Sequence, residues 1–288
     1  MITERTVNTS TVTINYAEGP EAGAPLILLH GGSGRWQGFD AILPELTERW
    51  HVYAPDLRGH GRAGWTPGLY RLQDYADDII ALLERCINEP AYLFGHSMGG
   101  MVALLVAARR PERVRAVIVG DAPLTAPAWR NVLERDRDAL VTWRDLAGGT
   151  RPLDEVIETL KNAPMQQTAN SKPVPMRVVF GEDAPVFPWL ATNLSQHDPN
   201  VLTTLLDHFD VAASGYDMDV VLPQVKCSVL LLQAEPQTGG LLTDAEIKRA
   251  MDLLPKQTHI KLANISHVLF NEQKDPVLDA ITAFLDAH

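Results

Sequence analysis

Short apolar runs alternate with amphipathic stretches along the first third of the chain. A continuous apolar run predicts a strand that is buried on both faces of a sheet, and apolar residues spaced three or four apart predict a helix. The predicted strands are residues 11–16, 25–29, 50–54, 91–94 and 114–119, and the predicted helices are residues 39–49, 72–86 and 99–108. This alternation favours an α/β fold with a doubly wound, mostly parallel sheet.

The pattern changes between residues 123 and 222, where helical periodicity recurs without a convincing buried strand. The helices predicted there are residues 129–146, 153–161, 186–194 and 201–208. The elements predicted afterwards are strands at 228–233 and 259–262 and helices at 243–254 and 276–286. The first of these helices begins at a predicted capping box, formed by Thr243 and Glu246, and runs to Leu254. We therefore expect a sheet domain of residues 1–122 and 223–288, interrupted by a helical cap of residues 123–222.

The strongest chemical signal is the sequence GHSMG at residues 95–99. It matches the pattern G-x-S-x-G and stands between a predicted strand and a predicted helix, the setting in which this pattern carries a nucleophile. Glycines allow the strained turn, because side chains two positions on either side of the serine would collide with backbone. The turn is expected to present the Ser97 hydroxyl at the carboxyl end of the sheet.

Another glycine-rich stretch, HGGSG at residues 30–34, follows the predicted strand at 25–29. Free backbone N–H groups in such a loop can face a developing oxyanion, and Gly32 and Met98 are the two expected donors. A phosphate-binding loop is excluded because G-x-x-x-x-G-K-[ST] does not occur in the chain. The stretch G-x-G-x-x-G at residues 59–64 is not followed by a predicted helix, so we interpret it as a structural turn.

A histidine follows the last predicted strand, in the pair Ser266-His267. A serine needs a base to become a nucleophile, and the chain order serine, acid, histidine is the one used with G-x-S-x-G turns. His267 is therefore the predicted base. The other histidines are interpreted as structural, and His197 is expected to be exposed.

Together these motifs resemble those of the α/β-hydrolase fold family, specifically serine hydrolases with a helical cap. The stretches that carry the resemblance are LLHGGSGRW at 28–36, YAPDLRGHGRA at 53–63, FGHSMGG at 94–100 and ISHVLFNEQ at 265–273. The resemblance implies a cap at residues 123–222 and acyl transfer on Ser97 without a metal or cofactor. It does not identify the substrate, because the cap carries no motif.

The acid that completes the expected site has two candidates. The resemblance places an aspartate about three residues beyond the strand that ends near Gln233, but Gln237 stands there and Glu235 lies two positions earlier. An alternative in the same fold places the acid after the preceding strand, where Asp121 lies. Asp244 is expected in the first turn of a helix instead. Asp121 is preferred, and Glu235 stays open.

Hydrolysis of a carboxylic ester or lactone of a small, mostly apolar molecule is the function that the resemblance favours. A serine at position 97 argues against the dehalogenases and epoxide hydrolases of the fold, which use aspartate there. The alternatives are a cofactor-free haloperoxidase or perhydrolase, a carbon–carbon bond hydrolase, and a non-catalytic receptor for a small ligand. The expected pocket residues are Ser33, Trp36, His96, Trp129, Trp143 and Trp189.

Composition and charge exclude further classes but leave the oligomeric state open. Hydrophobic residues make up 45% of the 288 residues, which excludes a disordered chain. The net charge of −11 argues against nucleic acid or an anionic membrane as a partner. No apolar stretch approaches the ~18 residues of a membrane span and the start does not resemble a signal peptide, so a cytoplasmic protein is expected. Two cysteines, Cys86 and Cys227, imply no disulfide framework, and no metal-binding motif occurs.

Overall fold

The structure, a computed structural model, describes residues 1–166, 172–270 and 273–288. Its strands are β1 (Thr3–Asn8), β2 (Thr13–Glu18), β3 (Pro25–Leu29), β4 (His51–Pro55), β5 (Ala91–His96), β6 (Val114–Gly120), β7 (Pro164–Met165), β8 (Val174–Pro175), β9 (Ser228–Ala234) and β10 (Gln257–Leu262). Its α-helices are α1 (Leu43–Thr47), α2 (Leu72–Cys86), α3 (Met98–Arg109), α4 (Ala126–Arg135), α5 (Arg137–Leu146), α6 (Leu153–Asn162), α7 (Met176–Phe180), α8 (Val186–Ser195), α9 (Pro199–Asp207), α10 (Phe209–Ala212), α11 (Met218–Val221), α12 (Asp244–Leu253) and α13 (Lys274–Asp286). Two motif residues, Asn271 and Glu272, lie outside the described residues.

A single sheet holds eight of these strands in the order β1–β2–β4–β3–β5–β6–β9–β10. The pairs β1–β2 and β2–β4 are antiparallel, and every pairing from β4 to β10 is parallel. The predicted mostly parallel, doubly wound sheet is therefore confirmed. All five residues of β3 are buried, as its continuous apolar run predicts.

The sequence pattern missed β1 and misjudged two helices. β1 is an edge strand whose residues are mostly exposed, so its sequence has no apolar alternation to reveal it. The helix predicted at 39–49 is a 3₁₀ turn (Trp36–Phe39) followed by the short α1. The helix predicted at 129–146 is two helices, α4 and α5, divided at Asp136. The sequence did not reveal this bend, because the helical periodicity continues across it.

The capping box predicted at the start of α12 is confirmed. The Thr243 hydroxyl accepts the Glu246 N–H at 3.2 Å, and the Glu246 carboxylate accepts the Thr243 N–H at 3.1 Å. The same carboxylate also accepts the N–H groups of Leu124 and Thr125, at 2.8 and 2.9 Å. Glu246 thus connects α12 to the segment that follows β6.

Residues 123–222, which we call the inserted segment, are mainly helical where the structure describes them. Part of the segment surrounds an apolar cluster of its own, which includes Leu160, Phe187 and Leu194. Other residues of the segment, such as Trp129, join the large cluster on one face of the sheet. The division of the chain into a core and a cap therefore stays a prediction. Among the described residues, no helix has the length and apolar content needed to cross a membrane.

Candidate active site

Ser97 occupies a strained turn between β5 and α3. Its backbone lies at φ 54° and ψ −125°, and its N–H donates to the Gly120 carbonyl at 2.8 Å. A Cβ built on Gly95 would lie 2.1 Å from the Gly99 carbonyl oxygen, so only glycine fits at position 95. The glycines flanking the serine are thus required by the close approach of two backbone segments.

Positive φ angles concentrate at the candidate site. Among the described residues, five that are not glycine have positive φ, and three of them are Ser33 at 55°, Ser97 at 54° and Asp121 at 43°. Such conformations cost about 1–3 kcal/mol each and persist only where the surrounding structure enforces them. The strain therefore points to the same region as the sequence motifs.

Asp121 and His267 form a hydrogen-bonded pair. Asp121 follows β6 and is fully buried, and its Oδ2 lies 2.7 Å from His267 Nδ1. Three backbone N–H groups also donate to the Asp121 carboxylate, those of Ala234 at 3.1 Å, Leu241 at 2.8 Å and Leu242 at 3.2 Å. The carboxylate therefore accepts four hydrogen bonds and holds one orientation.

The charge state of Asp121 determines the tautomer of His267. Burial of Asp121 opposes its ionisation, but the hydrogen bond and charge of His267 and the backbone N–H groups outweigh burial and lower the pKa of the carboxyl. An ionised carboxylate can only accept, so His267 Nδ1 carries a proton. The lone pair of the neutral imidazole is then on Nε2, the atom that a general base would use.

Glu235, the alternative acid, lies elsewhere. Its carboxylate is 3.6 Å from Lys261 Nζ, and no hydrogen bond among the described residues joins it to His267. Asp244 is in the first turn of α12, as predicted, and accepts from Gln233 Nε2 at 2.7 Å. Of the candidate acids, Asp121 is the one that the structure places beside His267.

The glycine-rich stretch of residues 30–35, which we call the glycine loop, runs beside Ser97. A Cβ built on Gly31 would lie 3.0 Å from Ser97 Cβ. Gly32 is exposed, and within residues 1–166, 172–270 and 273–288 neither the Gly32 N–H nor the Met98 N–H donates a hydrogen bond. Both N–H groups named as oxyanion donors are therefore available to a ligand.

His30 attaches the glycine loop to the turn after β4. Its Nδ1 donates to the Gly31 carbonyl at 2.8 Å, and its Nε2 accepts the Leu57 N–H at 3.0 Å. Burial lowers the pKa of His30 to about 4, which keeps the imidazole neutral and able to accept at Nε2. The histidine of HGGSG is thus a structural link between two loops.

His96, predicted as a pocket residue, contacts the segment that carries His267. Its Nε2 donates to the His267 carbonyl at 2.7 Å, and the two rings lie 4.7 Å apart. Burial lowers the pKa of His96 to about 3, so the ring is neutral. This hydrogen bond brings the Ser97 turn and the His267 loop together. The described residues include no hydrogen bond between Ser97 Oγ and His267, and catalytic hydrogen bonds in enzymes are often long until substrate binds.

The four tryptophans named as pocket residues do not share one surface. Trp189 lies 3.8 Å from a Cβ built on Gly38, next to the turn that begins at Trp36. Trp129 is buried against Phe209, with ring centroids 5.2 Å apart, and Trp143 packs between two apolar clusters. Trp36 and Trp189 are thus near the glycine loop, whereas the other two fill apolar interior.

His197 is buried, which corrects the expectation that it is exposed. It is 1% exposed, and its ring contacts that of His60 at a centroid distance of 4.4 Å. The next residue, Asp198, donates its N–H to the Gly59 carbonyl at 2.8 Å. A polar residue between two predicted helices is typical of an exposed loop. His197 is buried because the loop between α8 and α9 packs on the turn after β4.

Sequence reasoning missed Asn193 and the backbone donors to Asp121. Asn193 is on α8 and 2% exposed, and it makes hydrogen bonds to the glycine loop. No local pattern reveals it, because its partners are far away in sequence. The Leu241 and Leu242 N–H groups carry no side-chain signal at all. Within the described parts of the chain, no cluster of three His, Cys, Asp or Glu side chains is arranged to hold a metal ion.

Comparisons with known proteins agree with this architecture. A family model described as the alpha/beta hydrolase fold matches residues 24–168. The AB hydrolase superfamily protein YfhM of Bacillus subtilis is 36% identical over 121 residues, which are 41% of this chain and 42% of that protein. A pimeloyl-[acyl-carrier protein] methyl ester esterase of Neisseria meningitidis is 38% identical over 98 residues, 34% of this chain and 36% of that protein. The match therefore spans less than half the length of these curated relatives.

A solved structure matches over nearly the whole chain. It is that of a thermophilic esterase from Thermogutta terrifontis, with a TM-score of 0.73 over 99% of this chain and 98% of that chain. The sequence identity is 22%, so this likeness concerns the fold alone.

Proposed function

Because this chain belongs to the α/β hydrolase fold family, we propose that it is a serine hydrolase that cleaves a carboxylic ester or lactone. The observation that carries the proposal is the hydrogen bond of 2.7 Å between the buried Asp121 carboxylate and His267 Nδ1. The loop that contains His267 also contacts His96, the residue before Ser97. The proposed acid, base and serine thus follow three separate strands of one sheet, β6, β10 and β5. The proposed substrate is small and mostly apolar, with an acyl group that Ser97 can accept.

The first step of the proposed reaction forms a bond between Ser97 Oγ and the carbonyl carbon of the substrate. His267 Nε2 takes the proton of the hydroxyl as the bond forms, and the Asp121 carboxylate stabilises the resulting imidazolium. The carbonyl oxygen becomes an oxyanion. The free N–H groups of Gly32 and Met98 are the proposed donors to it, and Met98 begins α3, whose dipole favours negative charge at this end.

The second half of the reaction returns the enzyme to its starting state. The imidazolium gives its proton to the leaving alcohol oxygen as the ester C–O bond breaks, which leaves an acyl group on Ser97. His267 then takes a proton from water, whose oxygen attacks the acyl carbon. As that intermediate collapses, the bond between Ser97 Oγ and the acyl carbon breaks, His267 gives its proton to Ser97 Oγ, and the carboxylic acid is released. With a lactone, the leaving alcohol stays attached to the acyl chain until this last step.

Support for ester hydrolysis comes from the relatives, which include an esterase. Because the matched segment covers only about a third of that esterase, its substrate is not carried over to this chain. We propose that activity varies with acyl length, because Trp36 and Trp189 lie near the glycine loop and can contact an apolar acyl group there.

Labelling with a fluorophosphonate tests the nucleophile, and a panel of esters and lactones tests the reaction. We expect the wild-type protein to be labelled and to hydrolyse p-nitrophenyl esters or lactones, and the Ser97→Ala variant to do neither. Absence of both labelling and turnover in the wild type would contradict the proposal and favour a ligand receptor. Peroxide-dependent halogenation without ester hydrolysis would assign the same residues to haloperoxidase chemistry instead.

A further inference from the structure

We propose that Asn193 of the inserted segment is a positioning residue that holds the glycine loop in the geometry that its oxyanion donor requires. The inference rests on the proposed function, because it concerns the Gly32 N–H as a donor to the oxyanion. It assigns to α8 a part in accelerating the reaction, beyond any part in enclosing the substrate.

Both ends of the Asn193 amide bind the glycine loop. Its Nδ2 donates to the Ser33 carbonyl at 3.1 Å, and its Oδ1 accepts from Arg35 Nε at 2.8 Å. The side chain is 2% exposed, so water does not compete for these hydrogen bonds. A primary amide can donate to one partner through its NH₂ group and accept from the other through its oxygen at once, and its planar geometry sets the spacing between Ser33 and Arg35.

The glycine loop needs external contacts to keep its shape. Ser33 has φ 55°, a conformation that a side chain disfavours, and the only hydrogen bond between backbone atoms of the loop in the described structure joins the Gly34 N–H to the Gly31 carbonyl at 3.2 Å. His30 holds the beginning of the loop from the core side. Asn193 holds its end from the inserted segment.

Gly32 lies between these two attachments, and none of the hydrogen bonds among the described residues involves its backbone. A Cβ built on Gly32 would meet nothing within 4 Å. The direction of its N–H is therefore determined by the residues on either side, Gly31 and Ser33. If the hydrogen bond from Asn193 to Ser33 is lost, the peptide units that include Gly32 can rotate away from the oxyanion position.

The expected effect is on the transition state more than on substrate binding. Removal of an entire oxyanion donor lowers kcat roughly 10²–10³-fold, so misalignment of one donor should cost about ten- to a hundredfold. We expect this loss for Asn193→Leu, with KM changed less than about threefold. Asn193→Asp keeps the acceptor for Arg35 and loses the donor to Ser33, so its loss should be intermediate.

The experiment measures kcat, KM and the inhibition constant of an aryl trifluoromethyl ketone, whose adduct with Ser97 places an oxyanion where the reaction does. Across wild type, Asn193→Asp and Asn193→Leu, affinity for the ketone should fall in proportion to kcat/KM. Thr192→Ala is the matched control on α8, because the Thr192 hydroxyl donates to the Pro188 carbonyl within the helix. It should keep wild-type values.

Two results would overturn the inference. One is wild-type kcat and ketone affinity in folded Asn193→Asp and Asn193→Leu. The other is a fall in kcat with unchanged ketone affinity, which would mean that the oxyanion geometry is intact and that Asn193 acts by another route. If Asn193→Leu does not fold, the comparison between Asn193→Asp and wild type decides the question in the same way. A wild-type protein without fluorophosphonate labelling would instead refute the proposed function, so the two failures are distinguishable.

Discussion

Replacement of Asp121 by asparagine tests the acid of the proposed site with almost no change in side-chain size. Oδ2 of the carboxylate accepts from His267 Nδ1 at 2.7 Å and from the Leu241 N–H at 2.8 Å. Oδ1 accepts from the N–H groups of Ala234 at 3.1 Å and Leu242 at 3.2 Å. Every neighbour is a donor, so the NH₂ group of an asparagine would face donors in either orientation.

Each orientation of the substituted amide has a defined cost. With its NH₂ toward His267, the imidazole must accept at Nδ1 and carry its proton on Nε2, so no lone pair faces Ser97. With its NH₂ on the other side, two backbone N–H groups lose their acceptor at about 1–3 kcal/mol each, and the imidazolium loses its negative partner. The corresponding change in a serine protease lowers kcat roughly 10⁴-fold. That factor corresponds to about 5 kcal/mol of transition-state stabilisation.

The assay is steady-state hydrolysis of the best ester from the panel, together with thermal unfolding to verify the fold. We expect Asp121→Asn to lower kcat by about three to four orders of magnitude, with a small change in KM. Glu235→Gln is the matched control, because its carboxylate contacts Lys261 and not His267, and it should keep kcat within about threefold of the wild type. A folded Asp121→Asn variant with more than a tenth of wild-type activity would refute the assignment. A large loss in Glu235→Gln would transfer the role to that residue.

Three further predictions concern folding and stability. Gly99→Ala should abolish soluble folded protein, because a Cβ there would lie 2.2 Å from a backbone oxygen of β3. Gly149→Ala is the control: a Cβ at Gly149 would have its nearest neighbour at 3.5 Å, so yield and circular dichroism should stay unchanged. Equal yields of the two variants would contradict this. Glu246→Ala leaves two N–H groups without an acceptor, the buried one of Leu124 and the partly buried one of Thr125, so the free energy of unfolding in urea should fall by about 2–4 kcal/mol. A fall below about 1 kcal/mol would contradict this. Burial lowers the pKa of His30 to about 4 and that of His60 to about 3. Below pH 6.5 these two histidines therefore bind protons in the unfolded chain but stay neutral in the folded chain. The free energy of unfolding should therefore fall as the pH decreases from about 6.5, by roughly 2 kcal/mol per histidine at pH 5. A urea midpoint that does not change between pH 7 and pH 5 would refute this.

Local patterns were sufficient for most of the sheet and pointed to two residues of the candidate site. β3 and α2 have the predicted boundaries, because a buried apolar run and a strong helical period are properties of contiguous sequence. Errors occur where the period is uninformative, at the exposed edge strand β1 and at the bend between α4 and α5. Ser97 and His267 were also predicted from local sequence, Ser97 from the G-x-S-x-G pattern that follows a strand and His267 from its position after the last strand, and their roles stay predictions.

Long-range contacts decided the rest. Asp121 and Glu235 both follow neighbouring parallel strands, so the sequence offered both as partners of His267, and only the burial and hydrogen bonds of Asp121 distinguish them. The same holds for Asn193, a residue without a motif whose amide reaches the glycine loop across the fold. The sequence by itself thus determined which turn carries the proposed nucleophile, because the strain of that turn requires glycines at fixed spacing. The tertiary structure alone decided which carboxylate contacts His267 and which amide contacts the glycine loop, because hydrogen bonds between distant segments depend on how the chain packs.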